Sequence, residues 1–199
     1  MTRIPGHGLR AVFLFILLLA AAGCTTEIYS PAAQNPPPSE PFRNFGQFRL
    51  QPVTLNPAYT EHGYNLDAQK VIDRNMQEKL GPVLQGWDKG KGRTLIVSPN
   101  IEEIKFIGGA ARFWAGAMAG SSAVVMRVTY TDAATNKVIA TPVFYQHANA
   151  MGGAWTFGGT DNGMLYRIVS LVVEYTQANY ETAVGGPTGA PEDRVKTTN

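Results

Sequence analysis

Cysteine is almost absent from this sequence, since its 199 residues contain a single one, Cys24. A lone cysteine excludes an internal disulfide and a metal site built from several thiolates. We therefore expect the folded part of the chain to depend on the packing of its core, because no covalent crosslink can constrain it.

An excess of charge of one sign is also lacking. The formal net charge is +2, but residues 1–23 hold Arg3 and Arg10 and no acidic residue, so the chain from Cys24 onward has 15 basic and 15 acidic residues. A neutral chain offers no electrostatic attraction to a polyanion. We expect no nucleic-acid partner.

Residues that carry catalytic chemistry are scarce. The sequence has three histidines and contains neither an H-E-x-x-H nor a G-x-S-x-G pattern. The basic turn at residues 89–93 lacks the glycine spacing of a phosphate-binding loop. These absences predict a protein that is not an enzyme and that has no cofactor and no metal site.

The longest apolar run is short. It extends over 12 residues from Ala11 to Ala22, whereas a transmembrane helix needs about 20. Arg3 and Arg10 precede the run, and small residues follow it, which is the pattern of a secretory signal. We predict that residues 1–23 are a signal peptide.

The residues around the cysteine indicate a modification after export. The sequence from Ala20 to Cys24 resembles the bacterial lipoprotein signal, and this resemblance implies that Cys24 becomes the acylated first residue of the mature protein. An ordinary secretory signal that leaves a free thiol is the alternative. Thr25 is not the aspartate that signals inner-membrane retention, so we expect palmitate-type anchoring at the periplasmic face of the outer membrane, with the inner membrane as the alternative.

Composition divides the remaining chain into three parts. Residues 24–44 are rich in proline, which favours an extended polyproline II tether. Residues 183–199 are rich in glycine, proline and polar residues, and we predict a disordered tail. The intervening residues 45–182 are enough for one domain with a substantial core.

Hydrophobic periodicity predicts the elements of this domain. Alternation near Phe48 indicates a first strand, and helical spacing from Leu66 to Trp87 indicates a helix capped by Asn65 that Pro82 should kink or end near Leu80. A strand with an edge or bulge at Pro99, a hairpin over residues 123–147 and a helix capped by Thr160 or Asp161 follow. This order, β-α-β-β-β-α, predicts an α+β two-layer sandwich with a mixed sheet and both main helices on one face.

A glycine-rich, almost uncharged segment separates the second strand from the hairpin. Residues 108–122 include Phe113, Trp114 and a G-x-x-x-G pattern formed by Gly116 and Gly120. Small residues at this spacing let two backbones approach closely. The segment is therefore a candidate oligomer or membrane contact, and a buried loop under the sheet is the alternative.

A second glycine-rich segment, residues 145–162, precedes the last helix. It concentrates polar and aromatic side chains that are candidates for a partner or ligand loop. These are His147, Asn149, Trp155, Asp161 and Asn162. A catalytic alternative would use His147 as a base oriented by Asp161. The simplest alternative is that these residues only shape the loop, cap the helix and pack.

Residues from about 45 to 180 resemble a family of Gram-negative lipoproteins known as domain of unknown function 4410. The likeness rests on the glycine-rich entry at Gly108, the strand that closes on Asp132 with Thr135, and Asp161-Asn162 before the last helix. Asn136 stands where the family usually has glycine, and Asn also tolerates left-handed backbone geometry. The element order is also similar to the amino-terminal domain of TolB.

The resemblance implies a non-enzymatic, membrane-anchored protein that binds another component of the cell envelope. Similar domains occur in export machines, some of which assemble as rings. A subunit of an oligomeric ring in envelope export or secretion is therefore the alternative expectation, with self-association in place of an envelope partner.

Overall fold

The computed structural model describes residues 33–106, 122–148 and 159–190, without the side chains of residues 159–161. Within these ranges we number eight strands and two α-helices in chain order. They are β1 (Gln34–Asn35), β2 (Gln47–Leu50), β3 (Thr54–Leu55), α1 (Gly63–Trp87), β4 (Thr94–Lys105), β5 (Ser122–Asp132), β6 (Val138–Ala140), β7 (Val143–Ala148), α2 (Gly159–Ala178) and β8 (Gly186–Pro187).

A mixed sheet of six strands is built around β4 and β5, which pair antiparallel along most of their length. The short strands β2 and β3 both pair parallel to β4, and α1 provides the crossover that parallel pairing requires. On the other side, β6 and β7 pair antiparallel to β5 and complete the predicted hairpin. The mixed sheet and its two helices confirm the predicted α+β sandwich.

The main core lies between the helices and one face of the sheet. Successive side chains of a strand point to opposite faces, and in β5 the even-numbered residues face the helices. Their partners are apolar residues spaced three or four apart on each helix. Residues of this core that are 0% exposed include Val124, Met126, Val128, Tyr130, Ile72, Met76, Leu80, Ile168 and Val172.

The two helices run parallel to each other. Each follows a strand that ends at the same end of the sheet, and their C-terminal ends meet where the rings of Trp87 and Tyr180 stack with centroids 4.1 Å apart. In the described residues, 33–106, 122–148 and 159–190, no helix combines the length and apolarity needed to cross a membrane.

Two parts of the prediction for α1, an end near Leu80 and a cap at Asn65, were wrong. The helix continues through Pro82 to Trp87, and the exposed position of Pro82 leaves the carbonyl of Glu78, which lacks its N–H partner, on the solvent side. Asn65 is not the cap, because it lies inside the first turn and its amide donates to the carbonyl of Tyr59. The residue before the helix is His62, whose side chain makes no capping hydrogen bond.

Asn136 and Pro99 are two positions, one between strands and one within a strand, at which the sequence predicts special backbone geometry. Asn136 has a φ of 57°, which confirms the expected left-handed turn between β5 and β6. Pro99 lies in the central strand β4. On one side of β4 the pairing with β2 ends at Val97 and the pairing with β3 begins at Asn100, so no strand on that side needs a hydrogen bond from Pro99, which has no N–H. The register shift in β4 falls between Ile101 and Glu103 and not at the proline.

The segments predicted to be tether and tail contribute ordered structure, which corrects the boundaries at residues 44 and 183. Strands β1 and β8 pair antiparallel, and the amide of Asn35 both donates to and accepts from the backbone of Val143 at 2.9 and 2.8 Å. Gly185 has a φ of 78°, and a Cβ there would lie 2.4 Å from the carbonyl oxygen of Asn35. We call residues 33–36 and 185–190 the terminal clamp.

Composition did not reveal the clamp because both of its halves are rich in proline and glycine. The bonds that join the two halves to each other and to β7 link residues far apart in the sequence. The predicted signal peptide at residues 1–23, and Cys24 itself, lie outside the described residues.

Candidate functional site

One end of the sheet holds the residues that flank both segments suggested for function. Strand β4 ends at Lys105, and the register pairs Ser122, the start of β5, with Ala148, the end of β7. We call this the loop end. Both helices also start there.

Several predicted site residues lie outside the described residues. They are Asn149, Trp155 and the side chain of Asp161 in one segment, and Phe113, Trp114, Gly116 and Gly120 in the other. Helix α2 begins at Gly159, so Thr160 and Asp161 lie within the helix and neither precedes it. They are its second and third residues, so their prediction as caps was wrong.

His147 stands at the loop end on the face of the sheet that points away from the helices. Its backbone pairs with Ala123, and its ring is stacked 5.8 Å from the ring of Tyr145. Its carbonyl oxygen accepts a hydrogen bond of 3.1 Å from Arg167 of α2, which also donates to the side chain of Gln146. Arg167 thereby fixes the end of β7 to the first turns of α2.

Asn162 lies in the first turn of α2 and is exposed. His147 and Asn162 thus both lie at the loop end. They lie on different elements, joined through Arg167, which no motif in the sequence singles out.

A second group of side chains at the loop end was not predicted. The rings of His62 and Tyr64 stack with centroids 5.0 Å apart, and Phe106 meets the ring of Tyr64 edge-on at 5.8 Å. Tyr64 is 52% exposed and Leu66 is 37% exposed. The only signal in the sequence was the position of Tyr64 and Leu66 outside the apolar stripe of α1, which leaves large apolar side chains on the surface.

Below this group, one polar atom of Asn65 has no partner. The residue is 2% exposed and its amide nitrogen donates to Tyr59, but its Oδ1 accepts no hydrogen bond. Burial raises the pKa of Tyr59, and the charge of Glu103 raises it further. Burial and the neighbouring Glu102 raise the pKa of Glu103 as well.

Across residues 33–106, 122–148 and 159–190, no three side chains of histidine, cysteine or acidic residues are grouped so as to hold a metal ion. The carboxylate of Glu102 is engaged by the guanidinium of Arg127. Of the two histidines at this end, His62 is exposed and His147 is half-buried.

The opposite end of the sheet carries a charged network with a structural role. The guanidinium of Arg93 contacts Asp132 at 2.6 Å and Glu40 at 2.8 Å, and lies 4.3 Å from the ring centroid of Phe45. Arg93 lowers the pKa of both Asp132 and Glu40 through hydrogen bonds and charge. The basic turn seen in the sequence is therefore tied into the fold through Arg93.

Comparisons with known sequences identify no family. No family model matches this chain, and no curated protein does. The resemblance to domain of unknown function 4410 and to TolB therefore stays a prediction.

Among solved structures, similar shapes include a PelC dodecamer from Paraburkholderia phytofirmans (8% identity, 78% of this chain, 100% of that chain, TM-score 0.40). A Xanthomonas campestris protein of family DUF330 is also similar, with 11% identity over 78% of this chain and 97% of that chain and a TM-score of 0.40. A hypothetical protein from Chlamydia trachomatis has 15% identity over 67% of this chain and 99% of that chain and a TM-score of 0.37. All three TM-scores lie below 0.5, so these likenesses carry no argument about function.

Proposed function

We propose that this protein is a non-enzymatic lipoprotein of the bacterial cell envelope, anchored through Cys24 at the periplasmic face of the outer membrane. Its role is to bind another envelope component through the loop end. The observation that carries the binding proposal is the register of β5 and β7, which pairs Ser122 with Ala148. This pairing places residues that flank the two glycine-rich segments of the sequence side by side at one end of a rigid sheet, and connecting segments on such scaffolds commonly carry binding.

The anchor is supported by the sequence before Cys24. Its signal places the only cysteine of the chain at the position where acylation would occur. One acyl chain gives only marginal membrane binding, whereas two or more chains hold a protein stably. We expect the Cys24→Ala variant to lose palmitate labelling and to move from the membrane fraction to the soluble periplasmic fraction. Unchanged labelling would exclude the proposed anchor.

Binding at the loop end can be tested by site-specific photocrosslinking in cells. Asn162 is exposed at the loop end, and Lys137 is exposed in the turn at the opposite end, so a crosslinking amino acid at each position forms a matched pair. We expect a discrete crosslinked product from position 162 that is missing from position 137. The same products from both positions would contradict a partner surface at the loop end.

Self-association in a ring is a second candidate, favoured by the sheet face that points away from the helices. Val138 on this face is 51% exposed, and Ile96, Thr129 and Thr131 are half-buried, so a neutral β-branched surface remains open. The mass of the full lipoprotein in mild detergent, measured by light scattering with the detergent subtracted, distinguishes the two. A discrete mass of many subunits favours the ring, and a monomer or dimer favours the adaptor.

A further inference from the structure

The loop end exposes apolar side chains that the fold does not need. Tyr64 and Leu66 lie on the first turn of α1, with the ring of His62 stacked on one side of Tyr64 and Phe106 on another. We propose that this patch, formed by the rings of His62, Tyr64 and Phe106 together with Leu66 on another side of the helix start, rests on the surface of the same membrane that holds the acyl chains of Cys24. The inference depends on the proposed anchor and adds an orientation to it.

The tether between the anchor and the domain is short. The terminal clamp begins at Ala33, so only residues 25–32 separate the domain from Cys24. In a polyproline II conformation these residues span roughly 25–30 Å. Strand β5 alone, with 11 residues, is about 36 Å long. Such a short tether holds part of the domain at the membrane and restricts the ways in which the domain can face it.

The tether enters the domain close to the loop end. The carbonyl of Ala33 accepts from the backbone of Thr188, whose own carbonyl accepts from Tyr145. Ala33 is therefore level with Tyr145, which is three residues, or about 10 Å, from the end of β7 at Ala148.

After Ala33 the chain runs away from the loop end. Asn35 bonds to Val143, Ser39 bonds to Ile139, and the ring of Phe42 stacks on Tyr130 at 4.7 Å. The tether thus enters from the side of the loop end, so this end lies nearest to the bilayer.

The chemistry of the patch also suits a membrane surface. Tyrosine places an apolar ring and a polar hydroxyl at the level of lipid headgroups, where tyrosine and tryptophan are enriched. The charged groups around the patch have both signs: Glu61 is exposed, Lys105 closes β4, and Asp67 is paired with Lys70 at 2.9 Å. This mixture suits a zwitterionic surface such as phosphatidylethanolamine.

The single cysteine makes a direct test practical. In the acylated protein the thiol of Cys24 is consumed, so a cysteine introduced by His62→Cys is the only free thiol and can carry a nitroxide label. His62 is exposed and its side chain makes no capping hydrogen bond, so the substitution leaves the fold intact. Lys137→Cys, exposed at the far end, is the matched control.

The labelled full-length lipoprotein is placed in vesicles of phosphatidylethanolamine with a minority of phosphatidylglycerol. Collision rates of the nitroxide with oxygen and with a water-soluble nickel complex are then compared. We expect an oxygen-to-nickel ratio several-fold higher at position 62 than at position 137. Replacing Tyr64 and Leu66 by serine should lower the ratio at position 62 towards that of the control.

Palmitate labelling of the same preparation separates the two proposals. Equal ratios at positions 62 and 137 in a palmitate-labelled protein overturn membrane docking and leave the anchor in place. A protein that takes up no palmitate overturns the anchor, and the docking proposal falls with it.

Discussion

Arg93 is a single residue that joins three separate parts of the chain. Its guanidinium joins Asp132 at the end of β5 to Glu40 in the segment that follows β1, and it covers the ring of Phe45. The side chain of Asp132 is 2% exposed, whereas that of Arg93 is 41% exposed. The half-exposed guanidinium of Arg93 thus neutralises the negative charge of the buried carboxylate of Asp132.

This arrangement predicts how stability depends on pH. The pKa values of Asp132 and Glu40 are lower in the folded protein than their ordinary values of 3.8 and 4.5, mainly because each accepts hydrogen bonds from Arg93. The stability that they contribute is present above those ordinary values and is lost as the pH falls through the lowered ones. We expect the Arg93→Met variant to lose less stability than the wild type between pH 6 and about pH 2.

The measurement is the urea midpoint of unfolding as a function of pH. Arg43→Met is the control, because the ion pair of Arg43 with Glu181 is exposed on both sides and such pairs contribute little. If Arg93→Met and the wild type show parallel pH profiles, the network does not cause the acid sensitivity.

Between the elements, a buried hydroxyl pair joins the sheet to α2. The hydroxyls of Tyr130 and Thr176 are 2.6 Å apart, and the hydroxyl of Thr176 donates to the carbonyl of Val172. Thr176 has only one proton to donate, so Tyr130 is the donor of the pair. Burial raises the pKa of Tyr130, which keeps this proton in place.

We expect Tyr130→Phe to lower the free energy of unfolding by about 1 kcal/mol, because one buried hydrogen bond is lost and the ring is retained. Tyr166→Phe is the control, since Tyr166 is 49% exposed and the contact of its ring with Lys79 survives the change. Equal effects of the two substitutions in urea denaturation would show that the buried pair does not stabilise the junction.

The elements also show what could be predicted from the sequence. The apolar spacing of α1 and α2 and the alternation in β5 are local patterns, so both helices and the hairpin were predicted from them. Features that depend on tertiary contacts, such as the first residue of α1, were not predicted correctly. Asn65 has a side chain that commonly caps helices, yet it lies inside the first turn of α1. Its side-chain amide donates instead to the carbonyl of Tyr59, a contact that the residue type alone does not predict.

The candidate site was predictable only in part. The sequence marked His147 and Asn162, but it could not reveal that Ser122 and Ala148, which border the two glycine-rich segments, are paired at one end of the sheet, because that depends on the register of β5 and β7. The pairing of Tyr64 with Phe106 joins residues on two elements, and no local pattern records such a contact.

In the molecule as a whole, the terminal clamp covers the edge of β7. Without it, the backbone groups of Val143 and Tyr145 that point outward would have no partner among the strands. Tyr175 of α2 adds a hydrogen bond of 3.0 Å to the carbonyl of Pro36, and burial raises its pKa to about 12. The clamp therefore belongs to the folded unit.

We expect Asn35→Ala to lower the free energy of unfolding by about 2 kcal/mol, because it leaves the N–H and the carbonyl of Val143 unpaired at a half-buried edge. Gln34→Ala is the control, since Gln34 is exposed on the same strand. Thermal and urea denaturation of the two variants would measure the difference. A loss of stability no larger than that of the control would mean that the clamp is dispensable for folding.

The clamp also determines where the domain begins and finishes in space. Ala33 and Thr188 are hydrogen-bonded neighbours at 2.9 Å, so the path of the chain from one to the other nearly closes on itself. A short linker from Ala190 to Ala33 and a new cut in the exposed turn at residues 133–137 would keep every strand pairing described above. The order of the elements along the chain is therefore separable from their arrangement, and a circular permutant would carry its chain ends at the end of the sheet opposite the loop end.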